Sequence, residues 1–476
     1  MSSATPQSVK EGSAEILPIE GNEVFYNKAQ VFNRDLSILA LNTFTKLYRP
    51  EGLSVFEGLA ASGLRSIRYS QEVHKLKRVV ANDLEATAVK HMSLNRAHNG
   101  IPGSLMAVSQ ADACGYMYTH MNEFDVIDLD PYGSAAPFLD AAVRSVRSGG
   151  LLCVTCTDSL VLCGNHPETC FQRYGGVAVK ARFCHEASIR LMLSSIAQAA
   201  GKVKRSMTPL ASFSIDFYYR VFVKIDDNPA EAVNGILKTG MVLKCVNCEA
   251  HSLTNLGFRG TSRASRNKDG DASSTGPIKP GRLPTSGICS ECESPFSIGG
   301  PLWTGPIFTE SFVDACIAET DNQPEYPYLT VWDKMRALLF GLRQELVDVP
   351  LFYSFPSLMG NVKSNECKLK QFRSQIIRLG YRVSHSHRDP SAIKTDAPQS
   401  VVFDILRLWA RKAGARPKDI AAQKILNKQV DQNVSDVVDF DMIVEENAKR
   451  VVPMFLPNPE ANWGPKKAAK RSKLEH

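Results

Sequence analysis

The most chemically specific segment of the chain is residues 128–133, which read Asp-Leu-Asp-Pro-Tyr-Gly. The exocyclic amine of a nucleic-acid base is a weak nucleophile, because its lone pair is delocalised into the ring. A carboxylate such as Asp130 can accept the amine N–H and draw off positive charge as a methyl group arrives. Pro131 stiffens the loop, and Tyr132 offers a face on which a flipped base can stack. Taken alone, the segment is better explained as a simple turn, since Pro and Gly mark turns widely.

A second segment, residues 55–65, reads as a buried strand, a glycine-containing turn and the start of a helix. Gly58 and Gly63 let the backbone turn tightly and approach a ligand. Their spacing differs from the Gly-x-Gly-x-x-Gly of a dinucleotide-binding loop. Because the loop starts with Glu57, it favours a cofactor that carries an amino group over one that presents a pyrophosphate. Arg65 either reaches a carboxylate of that cofactor or faces solvent.

Two further carboxylates end or follow the next predicted strands. We expect Asp83 to bind ribose hydroxyls. We expect Asp112 to accept from an adenine amino group, while the backbone of Ala113 meets the ring nitrogen. Each acid by itself is equally well explained as a helix cap or a solvated loop residue. Three acids at the ends of three successive strands favour a site, because ligands of open α/β sheets bind outside the carboxyl ends of the strands.

The elements that position these residues alternate in type. Between about residues 16 and 224, apolar runs typical of buried strands alternate with amphipathic helical stretches, which predicts an α/β fold with a parallel sheet covered on both faces. The predicted strands are residues 55–57, 79–81, 105–108, 126–129 and 151–154, and the predicted helices are 85–98 and 135–147. Residues 212–225 are rich in β-formers and predict late strands that close the sheet. Helices are also expected at residues 328–348, 368–379 and 399–413.

Composition narrows the class of protein. The net charge of +7 over 476 residues permits a polyanionic partner without demonstrating one. We find no run of about 18 apolar residues, so no membrane span is predicted, and the N-terminal residues lack the apolar core of a signal peptide. Twelve cysteines, several of them in apolar runs, fit a reduced intracellular compartment better than secretion.

Four of the cysteines form two Cys-x-x-Cys pairs, Cys245 with Cys248 and Cys289 with Cys292. Four thiolates at this local spacing can complete a tetrahedral zinc site, which in closed four-cysteine form is structural rather than catalytic. The residues between the pairs are loop-like, so the entropic cost of the long separation grows slowly. The alternatives are redox thiols or a chance arrangement, but no βαβ redox context surrounds the pairs.

Several strings together resemble the tRNA (guanine(26)-N2)-dimethyltransferases, over about residues 11–412. They are residues 24–27, 33–35, 57–68, 82–83, 130–133, 380–382 and 393–398. The resemblance implies the class I S-adenosyl-L-methionine-dependent methyltransferase fold, with a Rossmann-like, seven-stranded, mostly parallel sheet. It also implies a family-specific α+β C-terminal domain and two successive methylations of guanine N2 in tRNA.

The resemblance assigns roles residue by residue. Cofactor-binding positions match Arg34, Arg65, Asp83, Asp112 and Ala113. Asp130 matches the catalytic aspartate, and Phe25 and Tyr132 match the positions that sandwich the target base. Many relatives carry phenylalanine where this chain has Tyr132, which preserves stacking. From the residues alone, Phe25 is more readily explained as a core residue.

These readings divide the chain into five parts. We expect a disordered N-terminus (1–15), a methyltransferase domain (16–239), a zinc-binding segment (240–309) with a flexible loop (261–285), a C-terminal tRNA-binding domain (310–450) and a basic tail (451–476) that ends in a tag remnant. The expected partner is tRNA, with no membrane and no obligate protein partner. Candidate phosphate contacts are the basic residues of 259–268, 363–382 and the tail, and the segment 382–388 is expected to contact the tRNA arms.

The expected location is intracellular, in nucleus or cytoplasm, with a mitochondrial form left open. Two other functions stay open on the residues. One is a different RNA or DNA exocyclic-amine methyltransferase, because the Asp-Pro-Tyr chemistry suits adenine as well as guanine. The other is a zinc-containing RNA-binding protein with a vestigial cofactor site. A dehydrogenase is disfavoured by the missing central glycine of the loop.

Overall fold

The computed structural model describes residues 8–18, 26–260, 276–283, 287–365, 367–444 and 453–458. Near the N-terminus, Val9–Glu11 (β1) and Ala14–Ile16 (β2) pair as an antiparallel hairpin. The expectation of a disordered segment over residues 1–15 is therefore wrong for residues 8–15. The reason is burial, because Ala14 and Ile16 belong to the main hydrophobic core.

The first block of the chain alternates helices and strands as expected. In chain order they are α1 Val31–Tyr48, β3 Leu53–Glu57, α2 Leu64–Glu72, β4 Leu76–Asp83, α3 Ala86–His98, β5 Met106–Gln110, α4 Ala113–Thr119, β6 Phe124–Leu129, α5 Leu139–Ser145, β7 Val146–Cys156, α6 Ser159–Leu162, α7 Pro167–Tyr174, α8 Cys184–Lys202, β8 Ser206–Ile215, β9 Tyr218–Asp226 and α9 Pro229–Val233.

Seven of these strands form one sheet in the order β5-β4-β3-β6-β7-β9-β8. The strands from β5 to β7 run parallel, and β9 runs antiparallel to both of its neighbours. Every residue of β3 and β6 is buried, and alternate residues point to opposite faces, so both faces are covered. The predicted seven-stranded, mostly parallel fold is confirmed. Chain order reverses between β3 and β6, which opens a crevice at their carboxyl ends.

The second block is a small β unit, with β10 Thr239–Cys245, β11 His251–Asn255, β12 Gly257–Arg259, β13 Ile278–Pro280 and β14 Phe296–Trp303. β10 lies between β11 and β14, antiparallel to both, and β12 pairs with β13. Part of the expected flexible loop is therefore ordered, because β13 gains backbone partners in β12. Residues 261–275 and 284–285 of that loop lie outside the described residues.

The third block is α+β, as the resemblance implied. It contains α10 Glu310–Glu319, α11 Trp332–Arg343, β15 Tyr353–Ser354, α12 Phe355–Asn361, α13 Leu369–Arg378, β16 Val383–Ser384, β17 Ala392–Thr395, α14 Gln399–Lys412, α15 Ile420–Asn427 and α16 Gln432–Ser435. The four paired cysteines share one hydrophobic core with α12, α13 and α14. Among the described helices, none combines the length and the apolar character that crossing a bilayer needs.

Buried charges join the third block to the first, at a place we call the domain junction. Lys394 Nζ lies 2.9 Å from Glu186 Oε2 and 3.0 Å from Glu345 Oε2. His387 Nδ1 donates to Glu345 Oε1 at 2.6 Å, and its Nε2 accepts from the Ser214 backbone N–H at 3.0 Å. All four charged or ring side chains are at most 2% exposed.

The junction corrects one expectation about RNA contacts. Segment 382–388 was expected to face tRNA, but His385 and His387 are buried. Arg388 donates to the Asp216 carbonyl, which holds this end of the segment against the β8–β9 turn. Arg382 is at the surface, where it pairs with Asp348 and Asp396. His387 therefore joins the third block to the first through Ser214, and the His385 ring contacts the Gly341 carbonyl within the third block, so neither ring is offered to an RNA.

Candidate active site

The carboxyl ends of β3, β4 and β6 meet at one edge of the sheet, with β3 in the middle. Glu57 is the last residue of β3 and lies in register with Asp128 of β6. Asp83 is the last residue of β4, and Asp130 follows β6. Asp112 follows β5 on the outer side of β4. The structure thus brings the predicted strand-end acids to a single edge, at the crevice where ligands of open α/β sheets bind.

The turn after β3 closes over the neighbouring strand. Gly58 N donates to the Asp128 carbonyl at 3.0 Å. A Cβ on Gly58 would lie 3.2 Å from Leu129 Cδ2, tighter than ordinary contacts allow. Gly63 has φ of 78° immediately before α2, a left-handed conformation that favours glycine. The two glycines therefore let the turn bend tightly and pass close to the strand ends at the crevice, as the sequence predicted.

Asp83 and Asn82 tie the edges of this turn together. Asp83 Oδ2 accepts from the Ala61 backbone N–H at 2.8 Å. Asn82 Nδ2 donates to the carbonyls of Gly58 (3.1 Å) and Ala111 (3.0 Å). Asn82 Oδ1 is buried and has no hydrogen-bond partner within the described residues. The crevice therefore contains an acceptor that a bound donor group can satisfy, and sequence reasoning had not singled out Asn82 as a site residue.

Asp112 is the N-cap of α4, with Oδ1 accepting from the Gly115 N–H at 2.7 Å. The helix-cap explanation left open for this residue is confirmed. Ala113 is the buried first residue of α4. Capping fixes the Asp112 carboxylate at the end of β5. Its assignment as a cofactor ligand stays a prediction, which this position permits.

Arg65 lies at the centre of the crevice. Its Nε is 3.5 Å from Glu57 Oε1, its Nη1 is 3.7 Å from Asp128 Oδ2, and its Nη2 contacts Asp130 Oδ2. The side chain is only 5% exposed. The alternative that Arg65 faces solvent is therefore wrong. One guanidinium is shared by three carboxyl groups, because the helix after the turn starts directly above the strand ends.

A buried network supports this guanidinium from below. Arg220 donates to Asp128 Oδ1 at 2.8 Å and Oδ2 at 2.7 Å, and Tyr69 OH donates to Oδ2 at 2.5 Å. Ser37 Oγ accepts from Arg65 at 3.2 Å and from Arg220 at 2.8 Å. Burial raises the pKa of Asp128, but the Arg220 and Arg65 guanidiniums outweigh it, so the pKa lies below its usual range. Asp128 is therefore anionic in the folded protein.

Sequence reasoning did not single out Ser37, Tyr69 or Arg220. The available signal was Arg220, a charged residue inside the apolar run Tyr-Tyr-Arg-Val-Phe-Val of β9. A buried charge in a central strand needs a partner.

Asp130 lies at the mouth of the crevice, with a side chain that is 17% exposed. Asn33 Nδ2, on α1, donates to its Oδ2 at 3.4 Å. The turn that follows is tied to the end of β7, because Gly133 N donates to Thr157 Oγ1 and Thr157 N donates to the Gly133 carbonyl, each at 2.8 Å. Tyr132 at the tip is 73% exposed. The segment is a turn, as the simpler explanation held, and it also presents a carboxylate and an aromatic side chain at the crevice.

Glu57 is the most perturbed carboxyl of the site. Burial raises its pKa to about 8, although the Arg65 guanidinium and a hydrogen bond from Ser66 both act to lower it. Near neutral pH this carboxyl therefore holds a proton. A cationic group placed beside Glu57 would favour the charged form.

Among the described residues, one predicted site residue, Arg34, is not brought into this arrangement. Arg34 pairs with Glu11 of β1 through Nε–Oε1 and Nη2–Oε2 contacts of 2.5 Å, and its Nη2 also donates to the Asn27 carbonyl at 3.1 Å. Its assignment as a cofactor ligand stays a prediction. Phe25 lies outside the described residues.

The four paired cysteines come together as predicted. Their sulfurs all lie within 4.8 Å of one another, with separations of 3.3 Å for Cys245–Cys292, 3.7 Å for Cys248–Cys289 and 3.6 Å for Cys248–Cys292. A zinc tetrahedron with bonds of about 2.3 Å has sulfur–sulfur edges of about 3.8 Å. The donor set and its spacing therefore fit a closed zinc centre.

Comparison with known proteins decides the family. Residues 6–407 match the family described as N2,N2-dimethylguanosine tRNA methyltransferase. The chain belongs to this family. The tRNA (guanine(26)-N(2))-dimethyltransferase of Mus musculus is 36% identical, over 97% of this chain and 77% of the mouse protein. The protein of the same name from Schizosaccharomyces pombe is also 36% identical, over 100% of this chain and 95% of that protein.

A solved member of the family has the same fold. Trm1 from Pyrococcus horikoshii, determined as a complex with S-adenosyl-L-methionine, gives a TM-score of 0.69 at 28% identity, and the match covers 84% of this chain and 99% of that one. The predicted family resemblance is confirmed. Four of its strings, at residues 33–35, 57–68, 82–83 and 130–133, fall on α1, on the β3–α2 turn, at the end of β4 and after β6, so these four contribute to the crevice. The string at residues 380–382 directly precedes β16, and the one at 393–398 begins on β17.

Proposed function

We propose that this protein transfers methyl groups from S-adenosyl-L-methionine to the exocyclic N2 of guanosine 26 in tRNA, giving N2-methyl- and then N2,N2-dimethylguanosine. The observation that carries the proposal is Asp130, a partly exposed carboxylate at the mouth of a crevice lined by strand-end acids. The names of the curated relatives supply the position and the nitrogen.

The residues proposed to hold the cofactor are Arg34, Glu57, Gly58, Arg65, Asp83, Asp112 and Ala113. S-adenosyl-L-methionine supplies an electrophilic methyl group on a cationic sulfonium. Three observations support the fit: a low glycine turn that a Cβ would obstruct, an unsatisfied acceptor on Asn82, and a buried Glu57 carboxyl whose ionised form a cationic neighbour would stabilise. Arg65 is the group best placed to receive the carboxylate of the methionine part.

Asp130 is proposed as the catalytic residue. Its Oδ2 already receives Arg65 and Asn33, so Oδ1 is the oxygen left for the substrate amine. Accepting the N–H at Oδ1 pyramidalises the guanine nitrogen and offsets the positive charge that forms on it. Asp130 then takes the proton that the methylated amine releases. The paired hydrogen bonds between Gly133 and Thr157 keep this carboxylate aimed by fixing the turn behind it.

Tyr132 is proposed to stack on the flipped guanine, with Phe25 on the opposite face. A tyrosine that is 73% exposed is unusual, because burial of its ring normally stabilises the fold. A base stacked on it would cover that surface, and stacking is worth about 1–3 kcal/mol per base.

We propose that Cys245, Cys248, Cys289 and Cys292 bind one structural Zn²⁺. The ion would cross-link the β10–β11 turn to the start of β14 and stabilise the core shared with α12–α14. Metal analysis of the purified protein is expected to show zinc that Cys248→Ser removes, with a lower thermal midpoint. Cysteine 114, half-buried on α4, gives the matched control: Cys114→Ser should keep that zinc. Equal zinc content in the wild type and in Cys248→Ser would rule the centre out.

We propose that the third block, residues 310–450, binds the tRNA body. Lys363, Lys368 and Lys370 are exposed around the start of α13 and are positioned to contact phosphates. We further propose that the protein acts inside the cell, since its substrate is tRNA and its twelve cysteines are all free thiols.

The test of the function uses unmodified tRNA transcripts and identifies the nucleoside formed. The wild-type protein should form N2-methyl- and N2,N2-dimethylguanosine from a transcript with guanosine at position 26. A transcript with adenosine at that position is the matched control and should stay unmethylated. Formation of N6-methyladenosine, or equal methylation of both transcripts, would contradict the proposal.

A further inference from the structure

A second group of soft donor atoms lies in the first block, apart from the four paired cysteines. The sulfurs of Cys163 and Cys184 and a ring nitrogen of His185 all lie within 4.8 Å of one another. Cys163 directly follows α6, and Cys184 and His185 are the first two residues of α8. All three residues are half-buried, so an ion from solvent can reach them.

The surroundings of Cys163 are polar rather than apolar. Its sulfur lies 3.2 Å from Tyr219 OH, 3.6 Å from Ser188 Oγ and 3.8 Å from His185 Nδ1. Tyr219 OH and His185 Nδ1 are themselves 3.1 Å apart. A thiol buried only for packing would lie among apolar groups, whereas here hydroxyl and imidazole groups converge on the sulfur. The N-terminus of the 19-residue α8 adds a positive dipole end, which favours thiolate.

The spacing fits a metal ion. With metal–sulfur bonds of about 2.3 Å and metal–nitrogen bonds of about 2.0 Å, a tetrahedral site has sulfur–nitrogen edges of about 3.5 Å. The 3.8 Å between Cys163 Sγ and His185 Nδ1 is close to that value. Two thiolates with one imidazole select soft or borderline divalent cations such as Zn²⁺ over Mg²⁺ or Ca²⁺.

We propose that Cys163, Cys184 and His185 form a second metal site, which takes Zn²⁺ or a comparable soft divalent cation. Three protein ligands leave a fourth position for water or for Tyr219 OH, so the site is open and its ion exchangeable. The four-cysteine centre, in contrast, is closed. Both thiols lose their protons when the ion binds, so affinity rises with pH.

The site lies close in the chain to the substrate-facing turn. Tyr219 is followed by Arg220, which binds Asp128 in the crevice. The helix α6 begins two residues after Thr157, which holds Gly133 beside Asp130. An ion that ties the end of α6 to the start of α8 would therefore stiffen the segment behind the Asp-Pro-Tyr-Gly turn.

The test is a CoCl2 titration of full-length protein that keeps zinc at the four-cysteine centre but has been dialysed free of exchangeable metal, kept anaerobic and reduced. Cobalt reports thiolate ligands through a near-ultraviolet charge-transfer band, and ZnCl2 should abolish that band by competition. We expect one extra equivalent of Co²⁺ in the wild type and none in Cys163→Ser or Cys184→Ser. The control Cys114→Ser, whose cysteine lies outside the cluster, should bind like the wild type.

A milder variant covers the case in which the serine variants unfold. His185→Gln should raise the Kd for Co²⁺ at least about tenfold, because losing a ligand costs more than losing an outer-shell partner. No extra equivalent in the wild type, an unchanged equivalent in all variants, or a Cys163–Cys184 disulfide with no bound metal in the protein as purified would each overturn the proposal.

Discussion

Replacing Asp130 by alanine should separate catalysis from folding. Arg65, the buried guanidinium that contacts Asp130, keeps Glu57 at 3.5 Å and Asp128 at 3.7 Å. The Asp130 charge is one of the causes that raise the pKa of Glu57, so its loss favours the ionised form of Glu57 and keeps the charge of Arg65 compensated. The Asp130 side chain is 17% exposed, so its removal opens a gap that water can fill rather than a closed cavity. We therefore expect the free energy of unfolding to change by no more than about 1 kcal/mol.

Turnover should respond far more strongly. A positioned proton acceptor contributes about 10²–10⁴-fold to rate, which corresponds to about 2.7–5.4 kcal/mol of transition-state stabilisation. Single-turnover transfer of labelled methyl to a tRNA transcript measures that loss, and calorimetry with S-adenosyl-L-methionine should show Kd within about threefold of the wild type. The control is Asp140→Ala, which removes an exposed carboxylate of α5 paired with Lys202 at 3.6 Å. Full activity of Asp130→Ala, or a loss explained by lost cofactor binding, would refute the catalytic role.

Three further predictions concern the cofactor, the base and the domain junction. The pKa of Glu57 is about 8, and the cationic cofactor is expected to bind the deprotonated form of this carboxyl. The Kd for S-adenosyl-L-methionine should therefore fall by up to about tenfold per pH unit between pH 6 and pH 8. Calorimetry on Glu57→Gln should give a flat profile, and an equally steep one would exclude Glu57 as the titrating group. Tyr132→Ala should lower kcat/KM for tRNA by about 5- to 150-fold while Tyr132→Phe stays near the wild type; equal losses in both would argue against stacking. Lys394→Met should lower the free energy of unfolding in urea by about 3–5 kcal/mol, because it removes the positive charge that two buried carboxylates, Glu186 and Glu345, share. An unchanged midpoint would mean that the junction adds no stability.

The parts of the site that sequence predicted are those that depend on local pattern. Glu57 and Asp83 end strands whose apolar runs are visible in the chain, and parallel strands necessarily bring their carboxyl ends to one edge. Asp130 was found because an acid, a proline and an aromatic residue follow such a strand directly. The switch in strand order then places all three acids around one crevice without further information.

The parts that sequence missed depend on contacts between distant positions. Asn33 reaches Asp130 across 97 residues, and Arg220 reaches Asp128 across 92. Nothing local indicates such partners, although an arginine inside an apolar strand signals that one must exist. The same limit explains why His387 was wrongly expected to contact RNA. A basic segment looks solvent-exposed in the sequence, and nothing local indicates that Glu345, 42 positions earlier, accepts a hydrogen bond from the His387 ring.

The charges of the crevice explain why it suits a cationic methyl donor. Arg220 binds Asp128 through Nη1 and Nη2 and is the main group that lowers the pKa of that carboxyl. Arg65 is then left to serve both Glu57 and Asp130, so two carboxylates share one positive charge. The shortage of positive charge affects Glu57, the more deeply buried of the two acids, and desolvation raises its pKa to about 8. A ligand that brings its own positive charge would remove the shortage, because a cation beside Glu57 favours the ionised form of that carboxyl. A phosphate ligand would face three acids instead, which is why a turn beginning with Glu57 cannot serve as a pyrophosphate loop.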